Sequence, residues 1–182
     1  MSAPRKFPLS EETSMDYKLK SISKAGIPEA ASKAELYRFL NDPEESESIC
    51  RDILALDPDN QLALRLLGLA ISDQFLGVGT DRFREAKDAF EKLSDQYERL
   101  YHVGLLFERR AKAQISAGQP PHTLLPLLEQ AMARYAEAES IRPAGNDDAI
   151  LRWNRCVRLL EILKSRLEEG LVSFDVHDAP PI

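Results

Sequence analysis

Prolines and glycines divide this chain into segments of helical length, and this punctuation constrains the fold more than any other feature of the sequence. The turn signals lie at residues 26–28, 41–43, 57–60, 77–79, 118–121 and 143–145 and at Gly170. Proline disrupts a helix interior because it lacks a backbone N–H, and glycine commonly ends helices. Between these signals, apolar residues recur at spacings of three and four, which is the period of an amphipathic helix.

The segments predict an all-α domain with an extension at each end. The predicted helices cover about residues 28–40, 43–56, 61–75, 81–93, 97–116, 123–141 and 146–169. After the predicted stop at Gly170, Val172, Phe174 and Val176 alternate with polar residues, and a period of two is typical of a strand. We therefore expect a flexible arm at residues 1–26, a helical domain at 27–169 and an extended tail at 170–182.

Composition excludes several classes of protein. The chain has 182 residues, 43% of them hydrophobic, which is enough for one domain with a core. Its formal net charge of -6 argues against a general nucleic-acid binder, which needs surplus Lys and Arg to neutralise phosphates. Cys50 and Cys156 form no CxxC pair, so the sequence favours a reducing, cytoplasmic setting. Because no run of about 18 apolar residues occurs, we expect no membrane insertion.

An internal repeat links the second, fourth and sixth predicted helices. Each carries a small residue, a larger residue four positions later, and a small or apolar residue three positions after that. These positions are Ser46, Cys50 and Ile53; Ala86, Phe90 and Leu93; and Ala131, Tyr135 and Ala138. The preceding helices share a second pattern, in which Leu64, Leu67, Gly68 and Ile71 match Leu100, Val103, Gly104 and Phe107, and more weakly Ala30, Ala34 and Tyr37. We expect the small residues to allow close helix approach and the aromatic residues to fill the space between helix pairs.

This pattern resembles the tetratricopeptide repeat family, and its closest motifs are Leu64/Leu67/Gly68/Ile71 and Ala131/Tyr135/Ala138/Pro143. Tyr37 and Ile71 stand 34 residues apart, which is the period of the family. Over residues 27–145, the resemblance implies a right-handed α-solenoid of about three helix-turn-helix repeats. Residues 146–169 would then form a long C-terminal capping helix. The chain departs from the family pattern around residues 77–80 and 114–123.

The resemblance implies a non-catalytic adaptor or scaffold that binds a peptide or helix of a partner protein on the concave face of the solenoid. The family pattern places on that face Glu35, Arg38, Arg65, Leu69, Ser72, Tyr101, Leu105 and Glu108. The candidate partner-binding residues are Arg38, Arg65, Leu69, Tyr101 and Glu108, together with Arg152 on the last helix. The alternative for each of these residues is that it contacts no partner and is ordinary protein surface. For Leu69 and Leu105 the alternative is burial against a neighbouring helix. The alternative function is a structural subunit or homo-oligomer whose groove holds its own or a neighbour's C-terminal tail.

One subgroup of the family grips the acidic C-terminal tails of cytosolic chaperones through Lys, Asn and Arg side chains. The corresponding positions in this chain hold Ala31, Glu35, Leu66, Glu98 and His102. The resemblance therefore does not extend to a chaperone tail as the ligand.

No group of residues in the sequence indicates catalysis. His102, His122 and His177 stand apart from other metal ligands, so we expect no enzyme activity, no cofactor and no metal site. Cys156 is interpreted as a half-buried structural thiol, with a pKa lowered by Arg155 and Arg158 as the alternative. Trp153 is predicted to lie in the core, on a stripe with Ile150, Val157 and Leu160.

Overall fold

The fold consists of helices joined by short connections in a computed structural model that describes residues 17–76 and 81–175, with side chains at 17–76 and 82–165. The helices are α1 (Ile27–Phe39), α2 (Pro43–Leu56), α3 (Gln61–Asp73), α4 (Asp81–Glu91), α5 (Gln96–Ser116), α6 (Pro121–Ser140) and α7 (Asp148–Asp175). A 3₁₀ turn at Lys24–Gly26 precedes α1, and the described residues contain no strand. The all-α prediction is confirmed.

The end of α7 differs from the prediction. Gly170 does not stop the helix, and residues 171–175 continue α7, so the extended strand-like tail is wrong for Val172 and Phe174. A glycine inside a helix costs only about 1 kcal/mol relative to alanine, and apolar residues at 167, 171 and 174 also fit a helical period. Val176 and the rest of the predicted tail lie outside the described residues, as do residues 1–16 of the predicted arm.

The helices pack in the order of the chain, each against the next. The odd-numbered helices also make contacts that skip one helix, because α1 packs on α3, α3 on α5 and α5 on α7. The four odd-numbered helices therefore touch one another in series. This arrangement decides which side chains can meet across the molecule.

At two glycines, an aromatic ring of one helix packs directly against the backbone of the preceding helix, and the repeat pattern predicts this close approach. A Cβ atom on Gly68 would lie 2.5 Å from the ring of Phe90, and one on Gly104 would lie 2.8 Å from the ring of Tyr135. All nine small, large and apolar positions of the repeat are buried, eight of them on α2, α4 and α6 and the ninth, Leu93, just after α4. The predicted burial and close helix approach are confirmed, but the glycine–ring contacts lie within the helix pairs α3/α4 and α5/α6, whereas the prediction placed the aromatic residues between pairs.

Among the side chains that the structure describes, the core consists of three clusters, and α5 contributes to the two larger ones. One cluster joins α1 to α5 around Ile71, Phe90 and Leu106, and a second joins α5, α6 and α7 around Leu128 and Tyr135. A small third cluster, around Ala31, Ile53 and Ala63, closes the N-terminal end. Because Phe107 packs against both larger clusters, α5 makes the core continuous.

The outer face of α1 does not follow the predicted orientation. The helical period of the sequence predicts that Leu40 faces inward on the same side as Ala34, but Leu40 is 61% exposed, and Leu36 and Phe39 are 53% and 88% exposed. Ala31 and Ala34 provide the buried side of α1 instead, because small side chains let this helix lie close to α2 and α3. Leu36, Phe39 and Leu40 therefore form an apolar row on the surface.

The buried stripe of α7 is rotated from the predicted one. Its centre is formed by Ala149, Cys156 and Leu163, spaced seven residues apart. Trp153 is partly buried against the second cluster, as is Leu160, whereas Ile150 and Val157 are not part of that cluster. Cys156 is completely buried rather than half-buried.

A candidate partner-binding surface on the odd-numbered helices

Polar side chains of α1, α3, α5 and α7 pair in three groups along the odd-numbered helices, and we call these groups together the polar belt. The belt consists of Arg38, Arg65, Asp73, Glu98, Tyr101, Glu108, Arg109, Lys112 and Arg152. The series of contacts between odd-numbered helices brings these residues together, although they span more than a hundred positions of the sequence.

At the N-terminal end of the belt, Asp73 joins three helices. Its carboxylate lies 2.7 Å from Nε of Arg38 on α1 and 2.8 Å from Nη1 of Arg109 on α5. Arg109 also donates hydrogen bonds to the backbone oxygen of Leu69, at 3.1 Å, and to the hydroxyl of Ser72. Burial lowers the pKa of Arg109, and the nearby carboxylate of Asp73 acts in the opposite direction. Both arginines thus share one counter-ion.

At the C-terminal end, Glu108 is completely buried and joins α5, α6 and α7. It accepts a hydrogen bond of 2.8 Å from the hydroxyl of Tyr135, pairs with Lys112, and lies 3.5 Å from Nη1 of Arg152. Burial raises the pKa of Tyr135, and the negative charge of Glu108 adds to this effect. Glu108 therefore fixes side chains around it instead of reaching solvent.

Tyr101 contributes an aromatic ring to the belt and is held by aromatic contacts. Its ring centroid lies 6.0 Å from those of both Tyr97 and Tyr135, and 5.1 Å from that of His102, which it meets edge-on. Burial lowers the pKa of Arg152, but a hydrogen bond with Tyr101 and the charge of Glu108 outweigh it, so the net shift is upward. Tyr101 and Arg152 thus form one partly exposed unit.

The remaining pair of the belt, Arg65 and Glu98, lies between α3 and α5 with 3.7 Å between Nη1 and Oε2. The backbone oxygen of Glu98 accepts a hydrogen bond of 2.7 Å from Nδ1 of His102, and the same nitrogen lies 3.2 Å from Oε2 of Glu98. Burial lowers the pKa of His102, which favours the neutral ring. His102 is therefore a packed residue of the interior rather than a residue of an open groove.

All six predicted partner-binding residues lie on odd-numbered helices, and five belong to the belt. Arg38, Arg65, Leu69, Tyr101 and Arg152 are partly exposed. Glu108 is the exception, because complete burial keeps its carboxylate from a partner. Of the other residues predicted on this face, Ser72 and Leu105 are buried and Glu35 is exposed.

Asp73 and Arg109, which link the helices, are not among the partner-binding residues predicted from the sequence. A signal was available for each. Asp73 stands four positions after Leu69 and so shares its side of α3, and Arg109 belongs to the basic run at residues 108–112. No pattern in the sequence indicated that Arg38 of α1 and Arg109 of α5 would both pair with the carboxylate of Asp73 on α3.

The belt carries positive charge in an acidic chain. Its cations are Arg38, Arg65, Arg109, Lys112 and Arg152, and its carboxylates are Asp73, Glu98 and Glu108. Five cations face three carboxylates, which leaves an excess of two positive charges where the whole chain has a formal net charge of -6. A partner segment with acidic residues fits this surface electrostatically.

The cysteines do not supply reactive thiolates. Cys50 and Cys156 are both buried and unpaired. Burial raises the pKa of each thiol to about 12, so the alternative in which arginines lower the pKa of Cys156 is wrong. Within the described residues, no three His, Cys, Asp or Glu side chains are grouped to hold a metal ion. No helix there is both long and apolar enough to cross a bilayer.

Comparisons with known proteins add no relative. No family model matches this chain, and no curated protein matches it either. The likeness to tetratricopeptide repeats therefore rests on the spacing of residues in the sequence.

Proposed function

We propose that this protein is a non-catalytic interaction module that binds a peptide or helix of a partner protein on the polar belt. The observation that carries the proposal is the belt itself, in which partly exposed side chains from four helices are held in place by shared ion pairs. Arg38, Arg65, Tyr101 and Arg152 offer a partner two residue types that dominate binding energy at interfaces. Because their neighbours already hold them, little side-chain entropy is lost on binding.

The proposed architecture is a right-handed α-solenoid of the tetratricopeptide type, with α7 as the capping helix. Two features support it: the same glycine–aromatic contact is found within the two successive helix pairs α3/α4 and α5/α6, and the odd-numbered helices touch in series. In such a solenoid the belt would line the concave side. A chaperone tail is not the proposed ligand, because Ala31, Leu66 and His102, at the positions of the chaperone-binding side chains, are buried.

Cross-linking pull-down with belt variants tests the proposal. We expect the double variant Arg65→Glu, Tyr101→Ala to capture at least tenfold less partner than the unmodified protein does. The control is Arg84→Glu, which makes the same charge change at an exposed residue of α4 that pairs with no described side chain. Undiminished capture by the double variant, with an unchanged far-UV spectrum, would show that the belt is not the binding site.

The second candidate function is an assembly subunit that contacts a second copy of itself. The apolar row of Leu36, Phe39 and Leu40 favours it, because the terminal helices of repeat proteins normally present a polar outer face. Light scattering on the unmodified protein and on Phe39→Glu separates the candidates. A dimer that the substitution converts to a monomer supports self-assembly, and a monomer in both cases supports the open interaction module.

A further inference from the structure

Two cavities occupy equivalent positions in successive repeats but differ in charge. The basic cavity lies between α4, α5 and α6 and has a volume of about 310 Å³. Its floor is formed by Leu100, Val103 and Phe107, and its charged rim by Lys87, Glu91, Arg99 and Arg134. The acidic cavity lies between α2, α3 and α4 and has a volume of about 340 Å³. Its floor includes Leu64 and Leu67, its wall includes Ala89, and its charged rim is formed by Glu85, Asp88 and Lys92.

The repeat pattern aligns the two cavities residue by residue. Leu64 and Leu67 in the floor of the acidic cavity match Leu100 and Val103 in the floor of the basic one. On the wall, Ala89 precedes Phe90 as Arg134 precedes Tyr135, so arginine replaces alanine at the same place. Both floors are apolar, and the difference between the cavities lies in their rims.

The rim of the basic cavity attracts an anion. Lys87, Arg99 and Arg134 surround it with one carboxylate, that of Glu91. The rim of the acidic cavity has the opposite balance, two carboxylates and one lysine. A cavity with an apolar floor and cationic rim is complementary to an apolar side chain flanked by carboxylates.

Arg99 is the cation of this rim that lacks a carboxylate. Its Nη1 donates to the backbone oxygen of Leu93, and among the side chains that the structure describes no Asp or Glu lies within ion-pair distance. Lys87 pairs with Glu91, and Arg134 lies 3.0 Å from Glu137. An incoming carboxylate would therefore meet Arg99 without displacing an existing ion pair.

The basic cavity is separate from the polar belt. Successive residues of a helix are rotated by about 100°. This rotation puts Arg99 and Val103 on one side of α5 and Tyr101 and Glu108 on the opposite side. A ligand in the cavity thus leaves the belt free.

We propose that the basic cavity is a second interaction site, which takes an acidic peptide segment of a partner protein. One apolar side chain of the segment enters the cavity over Leu100, Val103 and Phe107. Asp or Glu residues beside it pair with Arg99 and Arg134. The site is independent of the belt and extends the proposed function from one binding surface to two.

Fluorescence anisotropy with a labelled peptide, in which one Leu is flanked by two Glu on each side, tests this site. We expect saturable binding that weakens with salt, and none for the same peptide with Lys in place of Glu. Arg99→Glu should weaken binding roughly five- to tenfold, as loss of a rim ion pair plus repulsion predicts. Arg134→Ala should weaken peptide binding about threefold. This substitution introduces alanine, which the acidic cavity has at the equivalent position, Ala89.

Two controls carry the same charge change as Arg99→Glu. Lys92→Glu lies at the acidic cavity and Arg84→Glu lies on the exposed surface of α4, and both should keep the affinity within about twofold. Arg65→Glu makes the same charge change in the belt and tests whether the peptide binds there. Equal losses in all variants would overturn the proposal in favour of bulk charge. A loss confined to Arg65→Glu would assign the peptide to the belt, and no binding to the unmodified protein would exclude the cavity. None of these outcomes decides the pull-down experiment, which tests the belt separately.

Discussion

At the scale of single residues, the two buried glycines set how closely neighbouring helices approach. Gly68 and Gly104 face the completely buried rings of Phe90 and Tyr135, which cannot move toward solvent. The need for glycine at these positions comes from the space that the ring occupies, since neither glycine has a positive φ angle.

Gly68→Ala should destabilise the protein by about 1–3 kcal/mol, which is the usual cost of overpacking a core. The added Cβ would lie 2.5, 2.7 and 2.8 Å from three atoms of the Phe90 ring. This clash should outweigh the gain of about 1 kcal/mol in helix propensity. Urea denaturation measures the difference, and in a Phe90→Leu background the cost should shrink. A cost that is equally large without the ring would disprove the steric explanation.

Glu108 is the second residue whose role depends on its exact position. Glu108→Ala should cost about 2–3 kcal/mol, because it leaves the buried hydroxyl of Tyr135 without its acceptor. Glu137→Ala on α6 is the control, since that carboxylate pairs with Arg134 on the surface and its loss should cost less than about 1 kcal/mol. Thermal melting compares the two, and equal losses would contradict a special role for Glu108.

At the scale of helices, a cluster of charged residues ties α2 to its neighbours. Glu47 on α2 accepts a hydrogen bond of 2.6 Å from Arg51 and one of 2.7 Å from Gln74 after α3, and it pairs with Arg82 on α4. Burial raises the pKa of Glu47, but the hydrogen bonds from Arg82, Arg51 and Gln74 outweigh it and lower the pKa to about 2. The charged form of Glu47 is therefore the one that holds the three helices together.

This cluster predicts a defined pH dependence. Because the pKa of Glu47 is lower in the folded than in the unfolded state, its contribution is complete above about pH 5 and is lost as the pH falls toward 2. Glu47→Gln should lower the free energy of unfolding by about 1–3 kcal/mol at pH 7, and the difference from the unmodified protein should shrink at pH 2. Denaturant titrations at several pH values measure it, with Glu129→Gln on the exposed side of α6 as control. A difference that does not change with pH would refute the assignment.

Helix positions were largely predictable, whereas the belt was not. Proline, glycine and the period of apolar residues depend on local physics, so α2 begins and ends where the sequence predicts. The contacts of Gly68 and Gly104 also followed from the repeat. The sharing of Asp73 by Arg38 and Arg109 depends on three helices converging, and no local pattern encodes that. The outward position of Leu40 likewise depends on which side of α1 its neighbours leave uncovered.

At the scale of the whole molecule, contacts are dominated by neighbours in the chain, and α5 is the element that both large core clusters share. Proteins built in this way unfold in steps from their ends, because each element is stabilised chiefly by the elements beside it.

Native-state hydrogen exchange should therefore be slowest in α3 and α5 and faster in α1, whose outer face is uncovered. We expect protection in α5 to exceed that in α1 by roughly tenfold or more. Exchange followed by mass spectrometry on the intact chain resolves these helices. Uniform protection of α1 and α5, changing together with denaturant, would indicate a single cooperative unit instead.

The opposite charges of the two equivalent cavities also give the molecule a direction. A long partner that lies across α2 to α6 meets an acidic site toward the N-terminal side and a basic site toward the C-terminal side. A segment with one basic half and one acidic half can satisfy both sites in a single polarity, and turning it around places like charges together at each end. Repeats with similar backbones can thus read the orientation of a ligand, a property that neither cavity has alone.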